Sequence, residues 1–294
     1  MKKYIIIPIV CICLFACGRF ANEEKKQEHH ERIVLISKQY CEIIYALGAQ
    51  KDIVAVDVSS IYPPEVKKLP TVGYHRALSL EGILSVKPTL IMHGGLKTLG
   101  PEHIVKQLQT LNIPMKEFES KSDDIEGAKK LFREMGTYFH KEKAADSLCQ
   151  KLDKDMSVAL QTASQYTYQP KVLIIHFGRA SNIFMVISKM GAAGKMIEWG
   201  GGRMAISDTS RMKQISAEIV SKSDPDVILL TDFGYDRLGS TEKIKELPGV
   251  GSTRAAKNNQ IYRIEEHDLI YLGPRTGENI IKLQKLIHQD VIKK

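Results

Sequence analysis

The stretch Ser79-Leu80-Glu81-Gly82-Ile83-Leu84-Ser85-Val86-Lys87-Pro88-Thr89-Leu90-Ile91 returns, in the same order of chemical types, as Ser216-Ala217-Glu218-Ile219-Val220-Ser221-Lys222-Ser223-Asp224-Pro225-Asp226-Val227-Ile228. In each copy a serine precedes a short helical run whose first turn carries a glutamate, the pattern of a capped helix start. A proline then ends the helix, and an apolar run follows, as expected of a parallel strand covered on both faces. Further strands are predicted at 32–36, 53–56, 171–176 and 260–264, each separated from the next by helical patterning. Alternation of strand and helix in both halves predicts an α/β chain of two Rossmann-like lobes with mainly parallel sheets, an N-terminal lobe over 32–122 and a C-terminal lobe over 165–294.

The segment between the lobes, 123–164, contains no proline, and Ile125, Ala128, Leu131, Phe132, Met135, Tyr138 and Phe139 recur at helical spacing before the pattern resumes at Ala145, Leu148 and Leu152. This predicts one long connecting helix, with His140-Lys141 as its candidate break. A helix of that length would act as a stiff spine between the lobes.

The first seventeen residues read as an export signal and not as part of the fold. Lys2 and Lys3 precede the apolar run from Tyr4 to Phe15, and Leu14-Phe15-Ala16-Cys17 sets a small residue directly before a cysteine. Cleavage there would leave Cys17 as the lipid-bearing first residue, followed by a polar tether over 18–31. The run falls short of the roughly 20 residues a membrane-spanning helix needs. A lipid anchor holding the chain to a membrane therefore fits better than a transmembrane helix.

Of five cysteines, Cys11, Cys13 and Cys17 fall in this segment, so Cys41 and Cys149 are left for the fold: either a bridge or two buried thiols. The formal net charge is +8, and losing Lys2 and Lys3 would lower it by two. Such a surplus suits an anionic ligand or surface. Lysines and glutamates are interspersed throughout, which is not the pattern of a nucleic-acid-binding chain.

One run stands apart chemically: Val72-Gly73-Tyr74-His75-Arg76-Ala77-Leu78. A phenol has a reference pKa near 10, so it serves as a metal ligand only for a hard cation with positive neighbours, and ferric iron with Arg76 would supply both. In an extended segment Tyr74 and Arg76 share a face and His75 points away. From the residues alone, Tyr74 at a core edge with a solvated Arg76 is the competing reading.

From Tyr62-Pro63-Pro64 through Leu69-Pro70-Thr71-Val72-Gly73-Tyr74-His75-Arg76-Ala77-Leu78-Ser79-Leu80-Glu81-Gly82-Ile83-Leu84, the chain resembles the periplasmic heme-binding proteins, within the class III substrate-binding proteins of bacterial ABC importers. Met196-Ile197-Glu198-Trp199-Gly200-Gly201, Leu247-Pro248-Gly249-Val250 and Leu272-Gly273-Pro274-Arg275-Thr276 match more weakly. The resemblance implies Tyr74 as the heme-iron ligand, Arg76 as its support and Arg275 as a secondary cleft residue. It also implies that Glu81 and Glu218, one on each lobe, dock against a permease that works with an ATPase. Helix N-terminal stabilisation is the structural role these two glutamates would have in any case.

Within this resemblance heme is the expected ligand, because a flat macrocycle with two carboxylates needs an iron ligand, apolar walls and cations at its rim. The position of His75 is often apolar in that family, so His75 is a candidate for iron, for a propionate or for solvent. His176, Met204, Arg211 and Met212 are candidates for a contribution from the second lobe, with His176 expected at a strand's carboxyl end as a packed residue or a cleft residue. His93-Gly94-Gly95 lines the cleft or only serves the turn after its strand. His29-His30 is a weak metal site, and Gly200-Gly201-Gly202 lacks the lysine and hydroxyl residue of a phosphate loop.

The expected molecule is a monomeric, lipid-anchored carrier on the periplasmic side of a membrane that captures heme and is not an enzyme. A carrier of cobalamin or of a ferric siderophore is the alternative within the class. An enzyme acting on porphyrins or metal complexes is the alternative outside it.

Overall fold

Four-residue apolar runs supply the central strands of both sheets because each face of each sheet is covered. The computed structural model describes residues 31–289. The expected signal 1–17, Cys17 and all of the tether but Glu31 lie outside the described residues. The N-terminal lobe runs β1 (Ile33–Ile36), α1 (Lys38–Ala46), β2 (Ile53–Val56), the short strands β3 (Gly73–Tyr74) and β4 (Ala77–Leu78), α2 (Leu80–Ser85), β5 (Leu90–His93), α3 (Glu102–Thr110) and β6 (Met115–Lys116). Its sheet, in the order β2-β1-β5-β6, is parallel throughout.

Two helices follow, α4 (Ile125–Tyr138) and α5 (Glu142–Ala163). The C-terminal lobe then runs β7 (Lys171–Gly178), β8 (Ile183–Ile187), α6 (Ala192–Trp199), β9 (Arg203–Met204), β10 (Met212–Gln214), α7 (Ala217–Ser223), β11 (Val227–Thr231), α8 (Asp232–Leu238), α9 (Thr241–Lys245), α10 (Arg254–Lys257), β12 (Ile261–Ile264), α11 (Glu266–Ile270) and α12 (Thr276–Ile287). Its sheet has the order β10-β8-β7-β11-β12, with β9 also beside β7. Strands β7, β11 and β12 are parallel, whereas β8 runs antiparallel to both of its neighbours, β7 and β10.

The repeated stretch forms the same unit twice. Ser79 Oγ accepts the Gly82 N–H at 3.0 Å and caps α2, and Ser216 Oγ accepts the Ile219 N–H at 3.3 Å and caps α7. These helices lead into β5 and β11, each of which pairs in parallel with the strand that opens its lobe. Alternation along the strands then sorts side chains between two cores. Ile33, Leu35, Val172, Ile174, Val227 and Leu229 join one buried cluster shared by both lobes. Val34 and Ile36 turn to a second cluster, and Leu173, Ile175, Ile228 and Leu230 to a third.

The single connecting helix expected from the pattern is corrected to a helical hairpin. His140 takes φ 55°, in the left-handed region, and the Lys141 N–H donates to the Gly136 carbonyl at 2.6 Å, so the chain reverses there. Pairs Lys129–Asp153 at 2.9 Å and Arg133–Asp146 at 3.0 Å show α4 and α5 running antiparallel. The long member is α5, whose 22 residues span about 33 Å. It packs against α12, whose Ile280, Leu283 and Ile287 are almost fully buried, each worth roughly 1.5–3 kcal/mol of burial. Residues α4, α5 and α12 thus give the two lobes a common apolar spine.

Close approach of α12 to α5 depends on Gly277, where a Cβ would lie 2.6 Å from the Asp155 carbonyl carbon and 2.9 Å from the Met156 nitrogen. Those are backbone atoms and cannot turn aside. Gly277→Ala should therefore destabilise the fold by about 1–3 kcal/mol, read as a lower midpoint in urea denaturation. Cys41 and Cys149 are buried free thiols, and burial pushes Cys41 up to about 12. Among the described residues no helix is long and apolar enough to cross a membrane.

Candidate ligand-binding cleft

Tyr74 does not lie in a continuous extended segment. β3 and β4 form a hairpin in which Tyr74 pairs with Ala77, so His75 and Arg76 make its two-residue turn. Gly73 permits the tight closure: its φ is +93°, and a Cβ there would meet the Ala77 carbonyl oxygen at 2.7 Å. The expectation that His75 faces away is corrected by this geometry. The His75 ring lies 4.2 Å from the Tyr74 ring, centroid to centroid, and its Nδ1 is 3.6 Å from Asp57 Oδ2.

Asp57 is fully buried and also accepts from the Ser59 N–H at 3.2 Å and from the Ser60 hydroxyl at 2.7 Å. Burial pushes its carboxyl up, but the bonds from His75, Ser59 and Ser60 outweigh this and hold it below the ordinary range. A fixed anion thus orients His75, and His75 braces the Tyr74 ring.

The Tyr74 ring looks across to the C-terminal lobe. Arg179, in the turn after β7, places its guanidinium carbon 5.8 Å from the Tyr74 ring centroid and 3.9 Å from that of Phe233. Phe233 and Phe177 stand 5.8 Å apart in the same wall. Lys38, at the start of α1, pairs with Glu266 of α11 at 3.0 Å and lies 5.0 Å from the Tyr271 ring centroid. The cations brought toward the phenol are therefore Lys38 and Arg179, of which Arg179 lies over the ring, whereas Arg76 is exposed at the hairpin turn.

The Tyr74 hydroxyl makes no hydrogen bond among the described residues, and the side chain is partly buried. Burial raises its pKa and Glu266 raises it further, against the opposing pull of Lys38 and Arg179. In the free protein the phenol therefore keeps its proton, and an incoming cation must displace it.

Arg275, expected at the cleft, is committed elsewhere. Its guanidinium bonds both Glu42 oxygens at 3.0 and 3.1 Å, meets Asp268 at 2.8 Å and stacks 3.6 Å from the Tyr62 ring centroid. His267 Nε2 also meets Glu42. Glu42 comes from the N-terminal lobe and its partners from the C-terminal lobe, so this cluster ties the lobes together. Burial pushes the Glu42 carboxyl up, yet His267 and Arg275 hold it below its ordinary value.

His176 is not at a strand end. β7 continues to Gly178, and His176 lies within the ladder opposite Met185, its Nδ1 3.2 Å from the Thr231 hydroxyl. Burial lowers its pKa, against the opposing pull of Glu266. Arg211 and Met212 lie at the exposed edge strand β10, and Met204 lies in β9; no described contact joins them to Tyr74. His93 is buried, and its Nδ1 accepts the Gly95 N–H at 3.2 Å. Glu81 and Glu218 are exposed in the first turns of α2 and α7, and neither has an ion pair among the described residues. Lys38, Asp57, Arg179, Phe233, Glu266 and Tyr271 were not singled out by the sequence. The rule that cleft residues emerge just past a strand would have found Arg179 and Phe233 had β7 and β11 been bounded correctly.

The family model described as periplasmic binding protein matches residues 33–267 of this chain. The chain belongs to that family. The fold of this periplasmic binding protein is the class III α/β arrangement with two lobes, and the family is one of solute-binding proteins and not of enzymes. The periplasmic heme-binding protein RhuT from Roseiflexus sp. RS-1, in apo form, is 30% identical with a TM-score of 0.79, over 88% of this chain and 98% of that one. The uncharacterized ABC transporter substrate-binding lipoprotein YvrC of Bacillus subtilis (strain 168) is 25% identical over 90% of this chain and 82% of its own length. A vitamin B12-binding protein of Pectobacterium atrosepticum is 27% identical over 72% of this chain and 75% of its own length. This periplasmic binding protein is thus a substrate-binding protein of the ABC-importer class.

Proposed function

We propose that the chain captures heme between its lobes and delivers it to an ABC permease driven by an ATPase. The observation that carries this reading is the partly buried Tyr74 side chain, its hydroxyl without a hydrogen bond among the described residues, facing aromatic side chains and a guanidinium of the opposite lobe. A hard anionic oxygen suits ferric iron, and the flat rings of Phe233 and Tyr271 suit a planar macrocycle. In this reading Tyr74 is the iron ligand, with His75 and Arg76 at the hairpin tip near the propionates. The resemblance to a heme-binding protein across most of the chain supports it.

Purified protein titrated with hemin should give a saturable, stable high-spin ferric spectrum. Absence of a spectral change would sink the reading, and bleaching of the macrocycle would favour porphyrin chemistry. A corrinoid is the second reading, because curated relatives carry the name vitamin B12-binding protein. Cyanocobalamin bound more tightly than hemin would establish it.

In the same proposal Cys17 carries the lipid that holds a monomer on the periplasmic side of a membrane, and Glu81 and Glu218 meet arginines of the permease. Both carboxylates lie in helix first turns, where the loss of either costs the fold only about 0.3–1 kcal/mol. The double variant Glu81→Ala, Glu218→Ala should keep its hemin affinity but lose most heme uptake through the cognate permease. Normal uptake would remove the docking role.

A further inference from the structure

Resting on the heme reading, we propose that Arg179 is a carboxylate clamp on the C-terminal lobe that makes the cleft select anionic tetrapyrroles over uncharged ones. Of the other cations about the cleft, Arg76 and Arg237 are exposed to solvent, and the two that are more buried are already spent within the protein. Lys38 is paired with Glu266 at 3.0 Å, and Arg275 with Glu42 and Asp268. Arg179 alone at the Tyr74 ring has neither an ion pair nor a hydrogen bond among the described residues, although it is only partly exposed.

Its placement suits a planar anion. The guanidinium is 3.9 Å from the Phe233 ring centroid, and a stacked guanidinium leaves its N–H donors free around the edge, in the fork geometry that a carboxylate accepts. The turn that carries it is tight: the Asn182 N–H donates to the Gly178 carbonyl at 2.7 Å, and a Cβ on Gly178 would lie 2.5 Å from Ser181 Oγ. Arg179 is thereby presented from a fixed backbone next to the proposed iron ligand. A heme propionate would give this partly buried cation the ion pair that it lacks among the described residues. A tetrapyrrole whose edge carries only amides or esters gives that cation no counter-charge, so the same residue would separate heme from uncharged macrocycles.

The test is a set of absorbance titrations of the full chain with hemin and with hemin dimethyl ester, in wild type and in Arg179→Gln. Wild type should bind hemin more tightly than the diester by on the order of tenfold or more. Arg179→Gln should lose hemin affinity by a similar factor while its affinity for the diester stays unchanged. Wild type that binds both ligands equally overturns the clamp and leaves the heme reading standing, independently of any variant. Equal losses for both ligands in Arg179→Gln overturn it too, since they show a role in shape and not in charge. Wild type that binds neither ligand overturns the heme reading itself.

Discussion

Tyr74→Phe should lower hemin affinity by roughly a hundredfold or more, about 3 kcal/mol, and abolish the high-spin ferric spectrum of the complex. The variant keeps the ring, so its packing 4.2 Å from His75 and the Arg179 contact remain available. It removes only an oxygen that has no hydrogen-bond partner among the described residues. Folding stability should therefore stay within about 1 kcal/mol of wild type, which separates lost ligation from lost structure. Hemin titration and urea denaturation of the same preparation read both quantities. Unchanged affinity with an unchanged spectrum would falsify ligation by Tyr74.

Glu42→Ala should destabilise the protein by about 3–5 kcal/mol, because buried His267 loses its anion and the partly buried Arg275 keeps only Asp268. Glu42 itself is 4% exposed, so solvent cannot take its place. The pH dependence follows from the depressed carboxyl. With its folded pKa below the ordinary 4.5, the unfolded chain binds more protons in the window below about 4.5. The stability that Glu42 contributes is therefore full above that value and is lost as pH falls through the folded pKa. Urea midpoints of wild type and Glu42→Ala should be far apart near neutrality and converge in acid. A constant gap across that range would show that the cluster's charge does not hold the lobes.

Much of the fold was legible because strand and helix periodicities are local. The repeat led by Ser79 and Ser216 gave its two caps, its two helices and its two buried strands in the expected places. Periodicity failed at His140, where the apolar pattern of α4 and that of α5 are nearly in phase, and the reversal rests on one left-handed residue. It failed again at the end of β7, where His176 looked terminal although pairing with β8 carries the strand on to Gly178.

Sequence by itself determined two α/β lobes, a long helical segment between them and a phenol beside a turn glycine as the residue with unusual chemistry. Those features depend on neighbours within a few positions, where side-chain direction and backbone preference act directly. Only tertiary structure decided which charges are free and which are spent. Arg275 and Glu42 are 233 residues apart in the chain yet neutralise each other, while Arg179 reaches the Tyr74 ring from the other lobe with no ion pair among the described residues. Coulomb energy and desolvation depend on distance in space and on burial, and neither is encoded in the spacing of residues along the chain.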